Sequence, residues 1–373
     1  MKFKITKQSK ESAIRLGQLE THRSKIDTPV FMPCATNGSV KGISAEELDE
    51  IGYKMILGNT YHLYLRPGEG LIQNQGGLQK FINWPHSMLT DSGGYQVFSL
   101  SDKYTVYGKR TESLTQVVKR GVWFRSHLDG SKHLFTPEKV IDIQLALGSD
   151  IIMPLDFCPS ADATKEEIEH AVDVTNIWFK QAYEHFALKT KDMEKRPAIF
   201  AIIQGSFYKD LREKSYNFLS QFPVDGFSIG GVANGGESKK KQQDALLYTL
   251  PLIPLNKPRY LMGVGEPEDI LFATKQGIDM FDCVLPTRLG RHGIVWVTED
   301  WKSFSKTDLA KTKFAEDNSI LMPNCQCPSC RAGYTKAYLS HLIRSGEMLG
   351  MRLLSLHNLW LLHELMRRVR EEI

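Results

Sequence analysis

Long hydrophobic runs are missing from this chain of 373 residues. No apolar stretch approaches the roughly 20 residues that a membrane-spanning helix needs. Residues 1–10 alternate lysine with apolar residues and lack a signal-peptide core, so we expect the protein to stay in the cytoplasm. An excess of one charge is missing too, because the net charge is only +4. That value permits nucleic acid as a partner without requiring it.

Cysteine is scarce, and half of it is clustered. Of the six cysteines, three share one Cys-x-Cys-x-x-Cys stretch: Cys325, Cys327 and Cys330. Such clustering in a cytosolic enzyme indicates a metal site rather than disulfides. His357, at the start of a helix that we predict over 356–369, is our candidate for the fourth ligand, with His341 and His363 as rivals that spacing leaves open. Three thiolates and an imidazole in a closed tetrahedron are typical of structural zinc. We expect the scattered thiols to be buried or to line a pocket: Cys34, Cys158 and Cys283.

A glycine-rich dinucleotide fingerprint is missing after the first predicted strand, which counts against a doubly wound sheet. Short apolar runs alternate with segments of helical period, such as residues 166–186 and 209–222. We predict strands at 30–34, 55–57, 87–89, 151–155, 199–203, 226–229, 260–264 and 280–285. Eight strands alternating with helices predict an α/β fold, a (β/α)8 barrel.

Two segments fall outside this alternation. Residues 2–28 predict antiparallel β-structure before the barrel, and the gap 92–136 predicts an inserted hairpin or loop. We interpret residues 1–373 as one catalytic barrel domain, with a zinc-binding subdomain at 294–360 inside it. Pro286 cannot donate to a sheet, so we expect the last strand to end at a loop there.

Polar residues follow several of the predicted strands. Asp91, Asp156 and Asp282 come at the ends of the third, fourth and eighth strands, and Gln204 ends the fifth. In a barrel these positions face one mouth, where the active site lies. Glycosyl chemistry needs a carboxylate that attacks or steadies the anomeric carbon and a group that handles the leaving group's proton. We expect Asp91 and Asp282 to supply that pair.

The remaining polar and apolar groups of the mouth suit a flat base. Asp156 and Gln204 together offer acceptors and donors that match a purine edge, while Tyr95 and Met262 could cover its faces. Plain core packing is the alternative for Tyr95 and Met262. For Asp91 the alternative is a turn or helix-cap residue.

Arginines follow the last predicted strand, at Arg288 and Arg291, and their forked cations suit phosphate. The alternative for Asp282 is a structural ion pair with Arg288. Further basic residues near the C-terminus are interpreted mostly as a solvated helix face that could also serve a phosphate backbone: Lys302, Lys306, Lys311, Lys313, Arg367, Arg368 and Arg370.

Several of these stretches carry a resemblance to a known family. DSGGYQVFSL at 91–100, MGVGEPED at 262–269, DMFDCVLPTR at 279–288 and the cysteine cluster resemble the queuine tRNA-ribosyltransferases, also called tRNA-guanine transglycosylases. GNTYHLYLRPG at 58–68 and IIQGS at 202–206 resemble them as well. The resemblance extends over nearly the whole chain.

The resemblance implies a (β/α)8 barrel with structural zinc, usually a homodimer, that exchanges the wobble guanine of tRNA for a 7-deazaguanine. It implies that Asp282 is the nucleophile, that Asp91 is the general acid/base, and that Arg288 and Arg291 contact RNA. The implied base-recognition set is Tyr95, Asp156, Gln204, Gly231 and Met262. Without a C-terminal RNA-binding extension and with both aspartates present, the chain resembles the bacterial form.

Two departures from the bacterial pattern affect the expected base. Phe157 stands where a glutamate is usual, and the loop 231–237 is one residue longer and lacks a valine. The incoming base is expected to be 7-aminomethyl-7-deazaguanine, with queuine as the alternative. A retaining glycoside hydrolase on the same fold is the rival function, and the predicted acids count against a non-enzymatic RNA-binding module.

Overall fold

Eight parallel strands close into a barrel in the computed structural model, which describes residues 1–10, 12–101, 105–106, 109–110, 115–160, 162–233 and 238–372. The barrel strands are β4 (Val30–Ala35), β5 (Met55–Gly58), β6 (Ser87–Thr90), β12 (Ile151–Ile152), β13 (Ala198–Ile203), β14 (Gly226–Ile229), β15 (Arg259–Leu261) and β16 (Met280–Cys283). They pair in chain order, and β16 closes the ring against β4. The predicted (β/α)8 barrel is confirmed.

An antiparallel sheet covers the end of the barrel where the strands begin. It consists of β1 (Lys2–Gln8), β2 (Arg15–Glu20) and β3 (Lys25–Thr28), as the alternation at 2–28 predicted. Leu19 and Ile26 of this sheet are buried in the same hydrophobic cluster as Met32, Phe200 and Met280 of the barrel interior. The sheet therefore closes one end, and the opposite end is left as the mouth.

The predicted insertion is confirmed between the third and fourth barrel strands. It contains β7 (Thr105–Val106) and β8 (Lys109–Arg110), then an antiparallel sheet of β9 (Thr115–Val118), β10 (Gly121–Arg125) and β11 (Lys132–Phe135). Residues 102–104, 107–108 and 111–114 of the insertion lie outside the described ranges.

Helices surround the barrel and form the second layer of the core. Their bounds in the first half are α1 (Ala45–Ile51), α2 (Thr60–Leu65), α3 (Glu69–Asn74), α4 (Leu78–Phe81), α5 (Gly94–Ser101) and α6 (Pro137–Leu147). In the second half they are α7 (Lys165–Thr190), α8 (Lys209–Leu219), α9 (Lys239–Thr249), α10 (Pro267–Lys275) and α11 (Leu285–Arg291). Short 3-10 turns lie at Leu250–Leu252 and Thr312–Phe314. Among the described residues no helix is long and apolar enough to cross a membrane.

The C-terminal part holds a small hairpin and three helices. The hairpin joins β17 (Ile294–Val297) to β18 (Ser305–Asp308), and α12 (Pro328–Arg331), α13 (Lys336–Arg344) and α14 (Met348–Glu371) follow. We predicted the last helix only from residue 356. Gly350 lies inside this helix. A Cβ at that position would come within 2.8 Å of the Leu342 side chain on α13, so a larger residue would not fit. The glycine serves close packing of two helices instead of ending one.

Three strands are shorter than predicted. The strand at 260–264 ends at Leu261, and the other two end early for identifiable reasons. The strand at 151–155 stops at Ile152 because the Gln144 side chain takes over the backbone groups of Met153, accepting from its N at 3.0 Å and donating to its O at 2.8 Å. The strand at 280–285 stops at Cys283, and α11 begins at Leu285 where we expected a loop. Pro286 lies in the first turn of α11, where a helix does not need its missing N–H.

Candidate active site

Three aspartates lie at the mouth, each just after a barrel strand or at its end. Asp282 is the third of the four residues of β16, Asp91 follows β6 and Asp156 lies beyond β12. Among the described residues none of the three forms an ion pair with a lysine, arginine or histidine. Three carboxylates without a cation at one end of a barrel are the feature around which the site is built.

Asp282 is held by three neutral donors. Its Oδ1 accepts hydrogen bonds from Tyr260 Oη at 2.6 Å and from Gly263 N at 2.9 Å. Its Oδ2 accepts one from Cys34 Sγ at 3.4 Å. The residue is 9% exposed, and burial raises the pKa of its carboxyl group while these donors lower it. A carboxylate with this little solvation and no cation is a strong nucleophile once it is ionised.

The structural ion pair considered for Asp282 is absent. Arg288 lies on α11, is exposed and makes no salt bridge among the described residues. The acid three positions earlier, Asp279, takes the structural role instead. It is fully buried and pairs with Arg15, and it also accepts from Arg259 N at 2.7 Å.

Asp91 is fixed by the start of α2. Its carboxylate accepts hydrogen bonds from Asn59 Nδ2, from Thr60 N at 2.9 Å and from Gly93 N at 3.2 Å. The hydrogen bond from Gly93 N corresponds to the turn role that was the alternative for Asp91, so this residue also organises its own loop. Burial, with a contribution from the charge on Asp282, raises the pKa of Asp91 to about 7. A carboxyl group with that pKa can both give and accept a proton near neutral pH.

Asp156 and Gln204 form one hydrogen-bonded unit. Gln204 Nε2 donates to Asp156 Oδ2 at 2.9 Å, and Ser92 Oγ donates to Asp156 Oδ1 at 2.8 Å. All three residues are buried, and burial raises the pKa of Asp156. Gly231 has φ +66°, and a Cβ there would lie 2.7 Å from Gln204 Oε1. Glycine is therefore required beside the amide.

The two residues proposed to cover a ring differ in their surroundings. Tyr95 lies in the first turn of α5 and is 48% exposed, so core packing does not account for it. Met262 follows β15, is partly buried and packs against the hydrophobic cluster of the barrel interior. Met262 therefore packs against the core and also lies at the mouth.

The phosphate-binding candidates lie on α11, directly after the Asp282 strand. Arg288 is exposed, and Arg291 is partly buried with a buried Nε that has no hydrogen-bond partner among the described residues. For the other basic residues, the interpretation as a solvated helix face is confirmed for Arg367 and Arg368, whose side chains on α14 are 42% exposed. Arg367 and Arg368 both pair with Glu364, Arg370 donates to Pro29 O at 2.7 Å, and Lys306 pairs with Glu266. The exposed lysines that remain are Lys302, Lys311 and Lys313.

The predicted metal ligands converge in one buried cluster. Cys325, Cys327, Cys330 and His357 place their ligand atoms within 4.8 Å of one another. His357 Nδ1 faces the sulfurs at 3.3–3.8 Å, while its Nε2 donates to Trp296 O at 2.8 Å. That second hydrogen bond fixes the ring as it does in zinc sites. Three thiols and one imidazole fit Zn²⁺ in a closed tetrahedron, which leaves no position for substrate.

The rival histidines lie elsewhere. His341 is exposed on α13, and His363 packs edge-on against Tyr53 with ring centroids 5.2 Å apart. His357 lies in the third turn of α14 and not at its first turn as we predicted.

Sequence reasoning missed several residues that build the site. Asn59 and Tyr260 hold the two acids, and Ser92 holds Asp156. Cys34 was expected to be buried or to line a pocket, but its contact with Asp282 was not foreseen. Asn59 and Ser92 had a signal, since both follow barrel strands in quoted motifs. Tyr260 and Cys34 lie inside strands, where an apolar run gives no sign of which side chain faces the mouth.

Phe157 and the loop 231–237 are the two departures from the bacterial pattern near the base pocket. Phe157 stacks on Phe98 with ring centroids 4.6 Å apart and packs with the helix layer of the core. Of the loop 231–237, residues 234–237 lie outside the described residues.

Proteins that are similar to this chain in sequence share one description. The sequence model of a family described as "Queuine tRNA-ribosyltransferase" matches residues 10–373. A queuine tRNA-ribosyltransferase of Thermoanaerobacter sp. is 45% identical over 373 residues, covering 100% of this chain and 93% of the relative. That of Ruminiclostridium cellulolyticum is 45% identical over 371 residues, with 100% and 93% covered. That of Oleidesulfovibrio alaskensis is 46% identical over 369 residues, with 99% and 92% covered.

Proposed function

Because the chain belongs to the queuine tRNA-ribosyltransferase family, we propose that it exchanges the wobble guanine of tRNA for a 7-deazaguanine by two displacements at one ribose carbon. The protein is a glycosyl-transferring enzyme of tRNA queuosine modification, whose substrates are tRNA and a 7-deazaguanine-type base. The observation that carries the mechanism is the group of three mouth aspartates without a cation.

In the first displacement a carboxylate oxygen of Asp282 attacks C1′ of the target ribose. The bond from C1′ to N9 of guanine breaks, and Asp91 gives the departing base a proton. Asp91 has a pKa of about 7 and can deliver that proton at neutral pH. The tRNA is then held covalently through an ester-like bond to Asp282.

In the second displacement Asp91 takes a proton from the incoming base. N9 of that base attacks C1′, and the bond to Asp282 breaks. Two inversions give net retention at C1′, as for a retaining glycosidase. The target nucleotide must leave its stack to reach the buried acids.

Base recognition is assigned to the Asp156–Gln204 unit. A carboxylate and an amide in one hydrogen-bonded group offer acceptors and a donor to a purine edge, with Gly231 giving close approach and with Tyr95 and Met262 over the ring faces. Arg288 and Arg291 contact RNA phosphates beside the target nucleotide. The zinc ion is structural, and residues 294–360 act as a zinc-binding subdomain of a single catalytic domain. We also propose a homodimer that works in the cytoplasm.

The proposal is tested by incubating the protein with guanine-wobble tRNA and radiolabelled guanine. Label should enter the tRNA, and denaturing gels should show a shifted covalent band in the wild type that Asp282→Asn lacks. Asp225→Asn, which changes a paired acid at the other end of the barrel, is the matched control and should keep the band. Activity on aryl glycosides without uptake of guanine would favour the rival hydrolase instead.

The choice of base is a separate question. The small 7-aminomethyl-7-deazaguanine is our main proposal. Queuine is the alternative, because Phe157 replaces the usual glutamate and the sequence 231–237 lacks the usual valine after Ala233. Because Phe157 packs on Phe98, it takes part in the core, and this counts against its acting on the base. Competition of the two bases for tRNA preloaded with labelled guanine decides. A preference for the aminomethyl base above about a hundredfold would mean that the larger base is excluded.

A further inference from the structure

The two oxygens of the Asp282 carboxylate have unequal surroundings. Oδ1 is engaged twice, by Tyr260 Oη at 2.6 Å and by Gly263 N at 2.9 Å. Oδ2 has a single donor among the described residues, the Cys34 thiol at 3.4 Å. A thiol is a weak donor, so the lone pairs of Oδ2 are the less committed ones. Oδ2 is therefore better suited to attack than Oδ1.

Cys34 is held in place by the barrel itself. It lies on β4, which pairs with β16 on one side and with β5 on the other, where Cys34 is opposite Leu57. Its exposure is intermediate, so the thiol borders the mouth instead of being sealed in the core. Cys34 can therefore move only if β4 moves relative to β5 and β16, which would disturb the closure of the barrel.

The thiol keeps its proton and acts as a donor. Burial, and next the charge of Asp282, raise the pKa of Cys34 well above its usual value. The other titratable groups that face it are Cys283, Asp91 and Tyr260, and none of them is a cation that would favour the thiolate.

We propose that Cys34 is a positioning residue for the reaction: its thiol donates to Oδ2 of Asp282, fixes the rotation of the carboxylate and directs Oδ2 at the ribose carbon. This inference rests on the proposed function, in which Asp282 is the nucleophile. A strong donor at this position would tie up the attacking lone pair, and without a donor only the hydrogen bonds to Oδ1 would restrain the rotation of the carboxylate. The thiol lies between these extremes.

The test compares Cys34→Val, which fills the site with an apolar side chain but removes the donor, with Cys34→Ser, which keeps a donor. The pH profile of kcat/KM for guanine exchange is measured for both. Its rising limb reports ionisation of Asp282 in the free enzyme. Because the thiol donor lowers the pKa of Asp282, Cys34→Val should move that limb to higher pH, by about half a unit. Cys34→Ser should leave it in place or move it lower.

Two further variants frame the result. Tyr260→Phe removes a donor from Oδ1 and should move the rising limb upward too. Cys283→Ser changes the neighbouring thiol, which has no hydrogen bond to Asp282, and should leave the limb where it is. In Cys34→Val, kcat should fall about fivefold through loss of positioning, while KM for guanine should stay within twofold of the wild-type value.

A rising limb that coincides in Cys34→Val and wild type, or that moves the same way in Cys34→Val and Cys34→Ser, would overturn the role of Cys34. Circular dichroism of each variant checks that it is folded, and Cys34→Ala replaces Cys34→Val if the latter is not. Failure of the proposed function looks different, because the wild type itself would then incorporate no guanine and form no covalent band.

Discussion

The two ends of the barrel treat their acids in opposite ways. Three aspartates stand immediately before barrel strands and are paired with arginine: Asp150 with Arg23 at 2.8 Å, Asp225 with Arg196 at 3.1 Å, and Asp279 with Arg15. Three others stand at or after strand ends and have only neutral hydrogen-bond donors among the described residues: Asp91, Asp156 and Asp282.

The difference separates an acid that stabilises from an acid that reacts. A buried carboxylate with a matched guanidinium lowers the free energy of the fold relative to leaving either charge alone. A buried carboxylate without a cation costs stability, and folds retain such groups where chemistry needs them. Asp279 and Asp282 make the point at the two ends of one strand, since Asp279 immediately precedes β16 and pairs with Arg15, whereas Asp282 lies near the end of β16 and has only neutral donors.

The largest expected effect is on catalysis. Asp282→Asn should lower guanine exchange by roughly 10⁴-fold or more, as removal of a nucleophile does. The free energy of unfolding should not fall, because no ion pair is lost. Exchange kinetics and urea unfolding are measured on the same preparation. A variant that unfolds more easily than wild type would place Asp282 with the paired acids.

Loss of the metal should disturb the mouth but not the opposite end of the barrel, where the aspartates are paired with arginine. The cluster is linked to the mouth through Trp296, whose O accepts from His357 Nε2 and whose Nε1 donates to Glu266 at 3.2 Å. Cys327→Ser should lose zinc and destabilise the protein by on the order of 5 kcal/mol.

Elemental analysis and hydrogen exchange check this prediction. Exchange should rise at 262–266 and 285–298 and stay low at 15–20, with Ser303→Ala in the exposed β17–β18 turn as the control that keeps the metal. Purified wild type without zinc would contradict it.

Breaking a paired acid should reverse the pattern seen at Asp282. Asp279→Asn leaves the buried Arg15 without its carboxylate and should cost about 3–5 kcal/mol of unfolding free energy. The folded fraction should retain guanine exchange per active site, titrated by the covalent band. Unchanged stability would show that the pair contributes nothing.

Asp91→Asn should become more stable relative to the wild type as pH rises. The pKa of Asp91 is raised to about 7 in the fold, so its contribution is present below pH 4 and is lost as pH rises through 7. Asparagine cannot ionise and avoids that loss. The variant should be about 1–2 kcal/mol more stable than wild type at pH 8, relative to the difference at pH 4. Equal differences at both pH values would count against the raised pKa.

The smallest effect is expected at the most solvated pair. Asp225 and Arg196 are both partly exposed, and Asp225 also accepts from Ile199 N at 2.9 Å. Asp225→Asn should cost about 1 kcal/mol or less, and less again at high salt. A loss as large as that of Asp279→Asn would mean that burial does not rank the pairs.

The fold could be predicted because strand runs and helical periods are local signals. The ends of elements were less predictable, since Gln144 and the placement of Pro286 decide them through tertiary contacts. At the site, the motifs pointed to the mouth aspartates. They did not reveal the structural role of Asp279, because its partner Arg15 is 264 positions away in the chain. The contacts of Tyr260 and Cys34 with Asp282 were hidden because an apolar strand run does not show which side chain faces the mouth.

The most direct test of the account is to locate the covalent bond. Enzyme trapped with tRNA is denatured and digested with ribonuclease and trypsin, and the peptide 276–288, which contains both Asp279 and Asp282, is fragmented in a mass spectrometer. The account predicts that the nucleotide mass lies on Asp282. A nucleotide on Asp279, on Asp91 or on no residue at all would contradict it.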